Sequence, residues 1–304
     1  MTRSLLTVGE CMVEVAPAEG DLFRVGYAGD TLNTAWYARR LLGDDWDVSF
    51  ATKVGTDAVS DRMVAFFGEV GIGTDAVARH DSRGVGLYMI QLQDGERSFS
   101  YWRDTSAART LGDDPAWLDR VFEGRDLILF SGITLAILSE KGRGALCAAL
   151  ARARAAGSRI AFDTNLRPRL WSGPDEMKSA TAEGAAVSDI VLPSFDEETG
   201  LHGDGTPDDT IARYRQAGAS CVVVKNGTGT LHAWEASEGT LTLDPVPAPK
   251  VVDTTAAGDS FNAGFLCPLM QGASLKAAAE TAMDLSARVV QGRGALVDVW
   301  SEAG

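Results

Sequence analysis

A chain of 304 residues, 45% of them apolar, is long enough to bury a substantial core without disulfides or a structural metal. Its 42 acidic and 28 basic side chains leave a formal charge of −14. That balance excludes a general binder of nucleic acid or anionic membrane, because neither polyanion attracts net negative charge. The first ten residues carry too short an apolar run for a signal peptide, and no later run reaches membrane-spanning length, so a cytoplasmic protein is expected. In chain order, residues 5–9 read as the first strand. Residues 11–27 are rich in β-formers and break the pattern that follows, as do residues 84–102. Within the second of these, Gln93-Asp94-Gly95-Glu96 supplies a hairpin turn through its Asp-Gly pair. A separate small sheet is expected there. The core pattern resumes with a strand at 48–52 and a helix over 57–70, where Met63, Phe67 and Val70 share one face and Gly71 ends the run. Further strands are expected at 127–131, 159–163, 190–192 and 221–225, and a helix over 139–156 that Gly157 closes. Near the end Leu275, Ala278, Ala279, Ala282, Leu285 and Val289 form a helical stripe that reads as core. This alternation favours a parallel sheet covered by helices on both faces. Neither a repeat nor a linker divides the chain, so the small sheet is an insertion into one unit. The four cysteines, Cys11, Cys147, Cys221 and Cys267, stand far apart with no CxxC pair and read as reduced, mostly buried thiols.

The most informative stretch runs from Asp253 to Phe265, Asp253-Thr254-Thr255-Ala256-Ala257-Gly258-Asp259-Ser260-Phe261-Asn262-Ala263-Gly264-Phe265. Ala256, Ala257 and Gly258 are too small to shield the backbone, so their N–H groups can converge on an anion at a helix N-terminus, where the dipole adds about half a positive charge. Asp259 is then placed to accept a proton from an attacking hydroxyl. Taken alone, it is equally a first-turn acid that complements the dipole, with Gly258 a close-packing residue. Other motifs fail. Gly227-Thr228-Gly229 lacks the third glycine of a dinucleotide fingerprint and comes late in the chain, so a nicotinamide enzyme is not expected. The chain has no Gly-x-x-x-x-Gly-Lys-Ser/Thr motif, and His80, His202 and His232 are scattered surface or loop residues without ligand spacing.

The stretch from Asp253 resembles the C-terminal signature of the PfkB, or ribokinase-like, family of carbohydrate kinases, and the similarity runs nearly end to end. Gly29-Asp30-Thr31-Leu32-Asn33-Thr34-Ala35 is similar to the family's glycine-plus-asparagine substrate motif. Val54-Gly55-Thr56-Asp57 with Gly68 and Gly71-Ile72, Asp163-Thr164-Asn165-Leu166-Arg167, and Lys225-Asn226-Gly227-Thr228-Gly229 resemble later blocks. The resemblance implies an α/β fold: a ribokinase-like, Rossmann-type sheet sandwiched by helices in one domain over 1–304. A small β-sheet lid would come from segments about 11–27 and 84–103. It implies ATP and magnesium as cofactors, Asp259 as base, and the amides of Ala256, Ala257 and Gly258 as an anion hole. Nucleotide contacts fall to Asn165, Arg167, Lys225, Asn226, Gly227, Gly229, Ala257 and Gly258, and sugar contacts to Gly29, Asp30 and Asn33.

Within the family, Tyr88, Tyr101-Trp102-Arg103, Ser106-Ala107-Ala108 and Arg167 look most like kinases of 2-keto-3-deoxygluconate, a sugar acid. Guanidinium groups suit a carboxylate, so Arg103 and Arg167 are candidates for reading it. Read without the family, both are equally surface or interface ion-pair residues, and Tyr88 and Tyr101 are ordinary strand aromatics. The resemblance makes the two tyrosines covers and hydroxyl contacts for the sugar. By the same resemblance Glu197 organises magnesium through water, although Ser194-Phe195-Asp196-Glu197 replaces the usual Asn-x-x-Glu. A monovalent cation, potassium by analogy, sits near Asp253, Thr255 and Gly294. An apolar lid face favours a homo-oligomer. Rival readings are a fructokinase or ribokinase of the same family, and a sugar-binding regulatory protein without catalysis.

Overall fold

Continuous apolar runs become central strands because both their faces must be covered. The computed structural model describes residues 2–93, 96–245 and 247–300. Its strands are β1 (Arg3–Val8), β2 (Met12–Pro17), β3 (Phe23–Ala28), β4 (Trp46–Val54), β5 (Val77–Arg79), β6 (Gly86–Gln93), β7 (Glu96–Trp102), β8 (Leu127–Ser131), β9 (Arg159–Asp163), β10 (Ile190–Val191), β11 (Cys221–Val224), β12 (Leu231–Glu235) and β13 (Gly239–Leu243). The helices are α1 (Asp30–Leu41), α2 (Ala58–Glu69), α3 (Pro115–Phe122), α4 (Gly132–Ala136), α5 (Glu140–Ala155), α6 (Pro174–Ala186), α7 (Phe195–His202), α8 (Pro207–Gln216), α9 (Ala257–Met270) and α10 (Leu275–Val289).

The large sheet runs β13-β12-β11-β10-β9-β8-β1-β4-β5, and it is sandwiched. Successive residues of one strand feed opposite layers, as period-2 geometry requires. Leu127 and Leu129 join the core beneath α1, α2, α9 and α10, while Ile128 and Phe130 join the one beneath α3, α5 and α8. Asp57 caps α2 by accepting from the N–H groups of Val59 and Ser60, and Ser139 caps α5 through Gly142 N–H, so both helices begin where their caps predict.

The expectation of a wholly parallel sheet is corrected. From β5 to β11 every pairing is parallel, but β11, β12 and β13 form an antiparallel meander at one edge. Its two outer strands are only half-buried and short, so their alternation was too weak to stand out. Two histidines are also re-placed: His232 lies on β12 beside Asp208, and His202 ends α7 half-buried, where burial pushes its pKa down to about 4. All four cysteines are unpaired and buried. Among the described residues no helix is long and apolar enough to cross a membrane.

Strand order reverses beside β1, whose neighbours β4 and β8 lie on either side of it. Such a switch point opens a crevice at the C-terminal strand ends, where open α/β sheets bind ligands. The second sheet, β3-β2-β6-β7, rises from this same edge, because β2 follows β1 and β6 follows β5. β6 and β7 pair antiparallel from Leu87 opposite Trp102 to Gln93 opposite Glu96, as a hairpin must. The Asp94-Gly95 turn itself lies outside the described residues.

Candidate active site

The ends of β9 and β11 and the starts of α1 and α9 meet at the crevice. Helix α9 begins at Ala257, and its N-cap residue, Ala256, supplies no side-chain cap. Ala257 and Gly258 line the open cleft, whereas the Ala256 side chain is buried beneath it. A Cβ on Gly258 would lie 3.6 Å from Lys225 Nζ, which places that ammonium at the helix start.

Asp259 is buried in the first turn, and its Oδ2 accepts from Asn33 Nδ2 at 2.7 Å. Thr34 Oγ1 donates to the Asp259 carbonyl at 3.2 Å, so two residues of α1 hold the acid in place. Burial pushes the Asp259 carboxyl well above the usual range; Asp30 and Asp163 push it further, and the Asn33 hydrogen bond opposes them. A raised carboxyl pKa is what a proton acceptor needs to act near neutrality.

Asp30, one residue into α1, accepts from Thr31 N–H at 2.8 Å and from Asn165 Nδ2 at 2.7 Å. Burial raises its pKa as well. Asn165 follows the end of β9 and is the described non-glycine residue with positive φ, 32°. Asp163, at the end of β9, accepts from Lys225 Nζ at 2.9 Å and from Asn262 Nδ2 at 2.8 Å. Sequence reading placed Asp30, Asn33, Asn165, Lys225 and Asp259 in the site, and the structure brings them together. It adds Asp163 and Asn262, both inside quoted motifs but without an assigned role.

On the nucleotide side, a cleft of about 440 Å³ is lined by Lys225, Asn226, Gly227, Gly229, Ala257 and Gly258 among others. Its walls are chiefly apolar, from Leu231, Val251, Phe261 and Val290. Arg167 instead pairs with Glu197 at 2.6 Å, and the other oxygen of that carboxylate accepts from Leu166 N–H at 2.9 Å. Glu197 therefore enters the site already committed to two donors, with burial raising its pKa.

Beside the second sheet, the Arg103 guanidinium and the Ser106 hydroxyl both donate to Glu10, and the Tyr88 hydroxyl donates to Glu14. Sequence reading missed both glutamates and the pairing role of Ser106. Tyr101 lies tilted beside Tyr88, ring centroids 5.8 Å apart and planes at 33°, and is half-exposed. Asp253, Thr255 and Gly294 also meet: Asp253 accepts from Thr255 Oγ1 at 2.6 Å and from Gly294 N–H at 2.8 Å.

Gly29 seats α1 against the start of the lid. A Cβ there would fall 2.1 Å from the Glu10 carbonyl oxygen, so the helix start could not keep its position. Gly29→Ala is expected to shift Asn33 relative to Asp259 and lower kcat by about 10²-fold, the usual cost of an ångström-scale misplacement. Steady-state kinetics on the folded variant checks this, and unchanged kcat would remove α1 placement from the argument.

An acid at an uncapped helix start, beside a lysine and an apolar cleft, is a phosphoryl-transfer arrangement, and similarity to known proteins specifies it further. The model of the pfkB family carbohydrate kinases matches residues 2–302. The chain belongs to this family. It is 38% identical over 302 residues to the 2-dehydro-3-deoxygluconokinase of Dickeya dadantii, covering 97% of each chain. It superposes on a PfkB protein from Polaromonas with a TM-score of 0.82 at 28% identity, covering 95% of this chain and 96% of that one. It also superposes on a fructokinase with bound ATP from Xylella fastidiosa with a TM-score of 0.84 at 24% identity, covering 97% and 94%. The pfkB kinase fold thus accounts for the sheet order, the lid and the crevice between them.

Proposed function

We propose that this kinase transfers the γ-phosphoryl group of ATP to the terminal, C6 hydroxyl of 2-keto-3-deoxygluconate, giving the 6-phospho sugar acid. The observation that carries the reading is Asp259, buried at the uncapped start of α9 and held by Asn33, beside a cleft of nucleotide size. The name of the Dickeya relative supports the choice of sugar acid. Arg103 and Arg167 are the guanidinium groups this reading assigns to the carboxylate of that acid.

Asp259 orients the attacking hydroxyl and takes its proton late, as a loose phosphoryl-transfer transition state allows, for about 10²–10⁴ in rate. The Gly258 amide and Lys225 Nζ stabilise charge on the transferring group, while the Ala257 N–H donates to the Thr254 carbonyl at 3.2 Å and Ala256 is buried behind them. Asn165, Asn226, Gly227 and Gly229 position the nucleotide. Gly29, Asp30, Asn33, Tyr88, Tyr101, Arg103 and Arg167 position the sugar.

Magnesium keeps several waters and is held by few carboxylates together with phosphates, so the lack of a three-ligand cluster among the described residues fits it. Glu197 would hold it through water, and the ion would supply positive charge that an acidic chain lacks. The lid, from segments about 11–27 and 84–103 of one kinase domain, closes over the sugar and excludes water.

The deciding experiment is an ATP-coupled assay across keto-deoxy sugar acids, ketoses and pentoses. The sugar acid should lead in kcat/KM. A ketose preferred over it would make the chain a fructokinase-type enzyme, and binding without turnover would make it a sugar sensor.

Two further readings belong here. Leu22, Phe23, Val25, Phe99, Tyr101 and Trp102 are large apolar side chains left exposed on the lid, which supports a homodimer formed through it. Sedimentation should give a dimer for the native chain and a monomer for Leu22→Asp/Val25→Asp; a native monomer would sink the idea. The grouping of Asp253, Thr255 and Gly294 supports a potassium site, since it sets a carboxylate beside a hydroxyl oxygen at one turn, the hard oxygen donors such a cation takes. Turnover should rise several-fold, about 3–10, when potassium replaces tetramethylammonium, a response on the scale of an allosteric coupling. Four free, buried cysteines agree with a reducing, cytoplasmic setting.

A further inference from the structure

The lid sheet aligns one row of side chains across its four strands: Gly26, Glu14, Tyr88 and Tyr101 stand opposite one another in register. Strand alternation puts Ala28, Met12 and Gly86 on the same face, one step towards β1. Arg103, the residue after β7, packs there too. A Cβ on Gly86 would lie 3.2 Å from the Cβ of Arg103 and 3.0 Å from Glu10 Oε1, so a side chain there would press that ion pair aside by a few tenths of an ångström.

This face therefore carries two buried carboxylates, Glu10 and Glu14, supplied by the short path from β1 into β2. Each takes protons from groups assigned above to the sugar. Arg103 and Ser106 donate to Glu10, and Tyr88 donates to Glu14. The consequences differ. Arginine has five N–H donors and keeps others for a ligand, whereas a phenol has a single proton. Burial, with the Glu14 charge beside it, holds that proton on Tyr88 far above the ordinary tyrosine range. With that O–H donated to Glu14 in a hydrogen bond, the Tyr88 oxygen has only lone pairs left to offer.

We propose that Glu14 is a positioning residue that commits the Tyr88 hydroxyl to accept hydrogen bonds, so that the pocket selects a sugar presenting a secondary hydroxyl to Tyr88. A keto or carboxylate oxygen at that point would set acceptor against acceptor and leave both desolvated. The sugar acid consequently binds with its carboxylate towards the arginines and with the C4 or C5 hydroxyl on Tyr88. This deepens the substrate reading above and rests on it.

The test uses the full chain with 2-keto-3-deoxygluconate and with analogues carrying hydrogen or fluorine in place of either secondary hydroxyl. Fluorine accepts weakly and cannot donate. At one of the two positions, the native enzyme should turn over the hydrogen and fluorine analogues equally poorly, about 10²-fold below the parent in kcat/KM, because a site built for a hydroxyl rejects its absence. Tyr88→Phe should shrink that gap to about tenfold or less, mostly through KM. Glu14→Leu frees the Tyr88 proton, and the fluorine analogue should then exceed the hydrogen analogue by about threefold or more. Glu14→Gln, whose carbonyl can still accept, should restore the native pattern. Equal analogue ratios in Glu14→Leu and the native enzyme, or an undiminished gap in Tyr88→Phe, would overturn the proposal. So would a fluorine analogue well above the hydrogen one in the native enzyme, a result that needs no variant to fold. Failure of the native enzyme to phosphorylate the parent acid at all would instead sink the substrate reading.

Discussion

Asp259→Asn is expected to lower kcat by about 10²–10⁴ while leaving KM for the sugar within about twofold, because it removes an interaction made only as the proton moves. Asparagine can still accept the Asn33 hydrogen bond, so geometry is kept while basicity is lost. The same carboxyl sets the pH dependence. Burial, then Asp30, push its pKa well up, so kcat should fall as pH drops through that raised value. For stability the sign is opposite to that of an ordinary paired carboxylate. An acid whose folded-state pKa exceeds its unfolded one stabilises the fold below the unfolded pKa, and that contribution is lost as pH rises through the folded one. Above that folded pKa the charged Asp259 costs stability. Asp259→Asn is therefore expected to melt at or above the native temperature, and a lower melting point at pH 7 would contradict the account of its burial. Near-native turnover would remove Asp259 from the mechanism altogether.

Arg103→Ala is expected to act on stability and on specificity together. Arg103 pairs with Glu10 where their side chains are 8% and 1% exposed, and its loss leaves Glu10 with Ser106 as its other hydrogen-bond donor. Breaking a buried pair from one side costs about 3–5 kcal/mol, which a shift in the denaturation midpoint would register. Arg103→Ala/Glu10→Gln should recover part of it, because the stranded charge is gone. In kinetics, kcat/KM for the sugar acid should fall by about 10²-fold or more, with a much smaller loss for a neutral ketose. Equal losses for both sugars would mean that Arg103 only supports the lid. Those two readouts separate recognition from packing.

Residues 253–265 carried most of what the sequence alone could say. The small side chains at 256–258 and the acid at 259 are legible because a helix start that binds an anion has a local, contiguous signature. Strand runs such as 127–131 and 159–163 were legible for the same reason, since burial on both faces demands unbroken apolar residues. The outer meander strands β12 and β13 were not, because a half-buried edge needs only weak alternation and its pairing is set by neighbours.

Long-range partnerships were the other limit. Asn33 reaches Asp259 across 226 positions and Asn165 reaches Asp30 across 135, and no local pattern announces either pair. Nothing local to Glu10 or Glu14 marks a partner for either. Only the return of the chain through β6 and β7 sets Tyr88 and Arg103 against them. The sequence by itself determined which segments form strands and helices and where an anion could meet a proton acceptor, because those depend on short-range spacing. The tertiary structure alone decided which donor faces which carboxylate. A buried charge takes its partner from whatever the fold brings within reach, and that choice fixes both its pKa and its role.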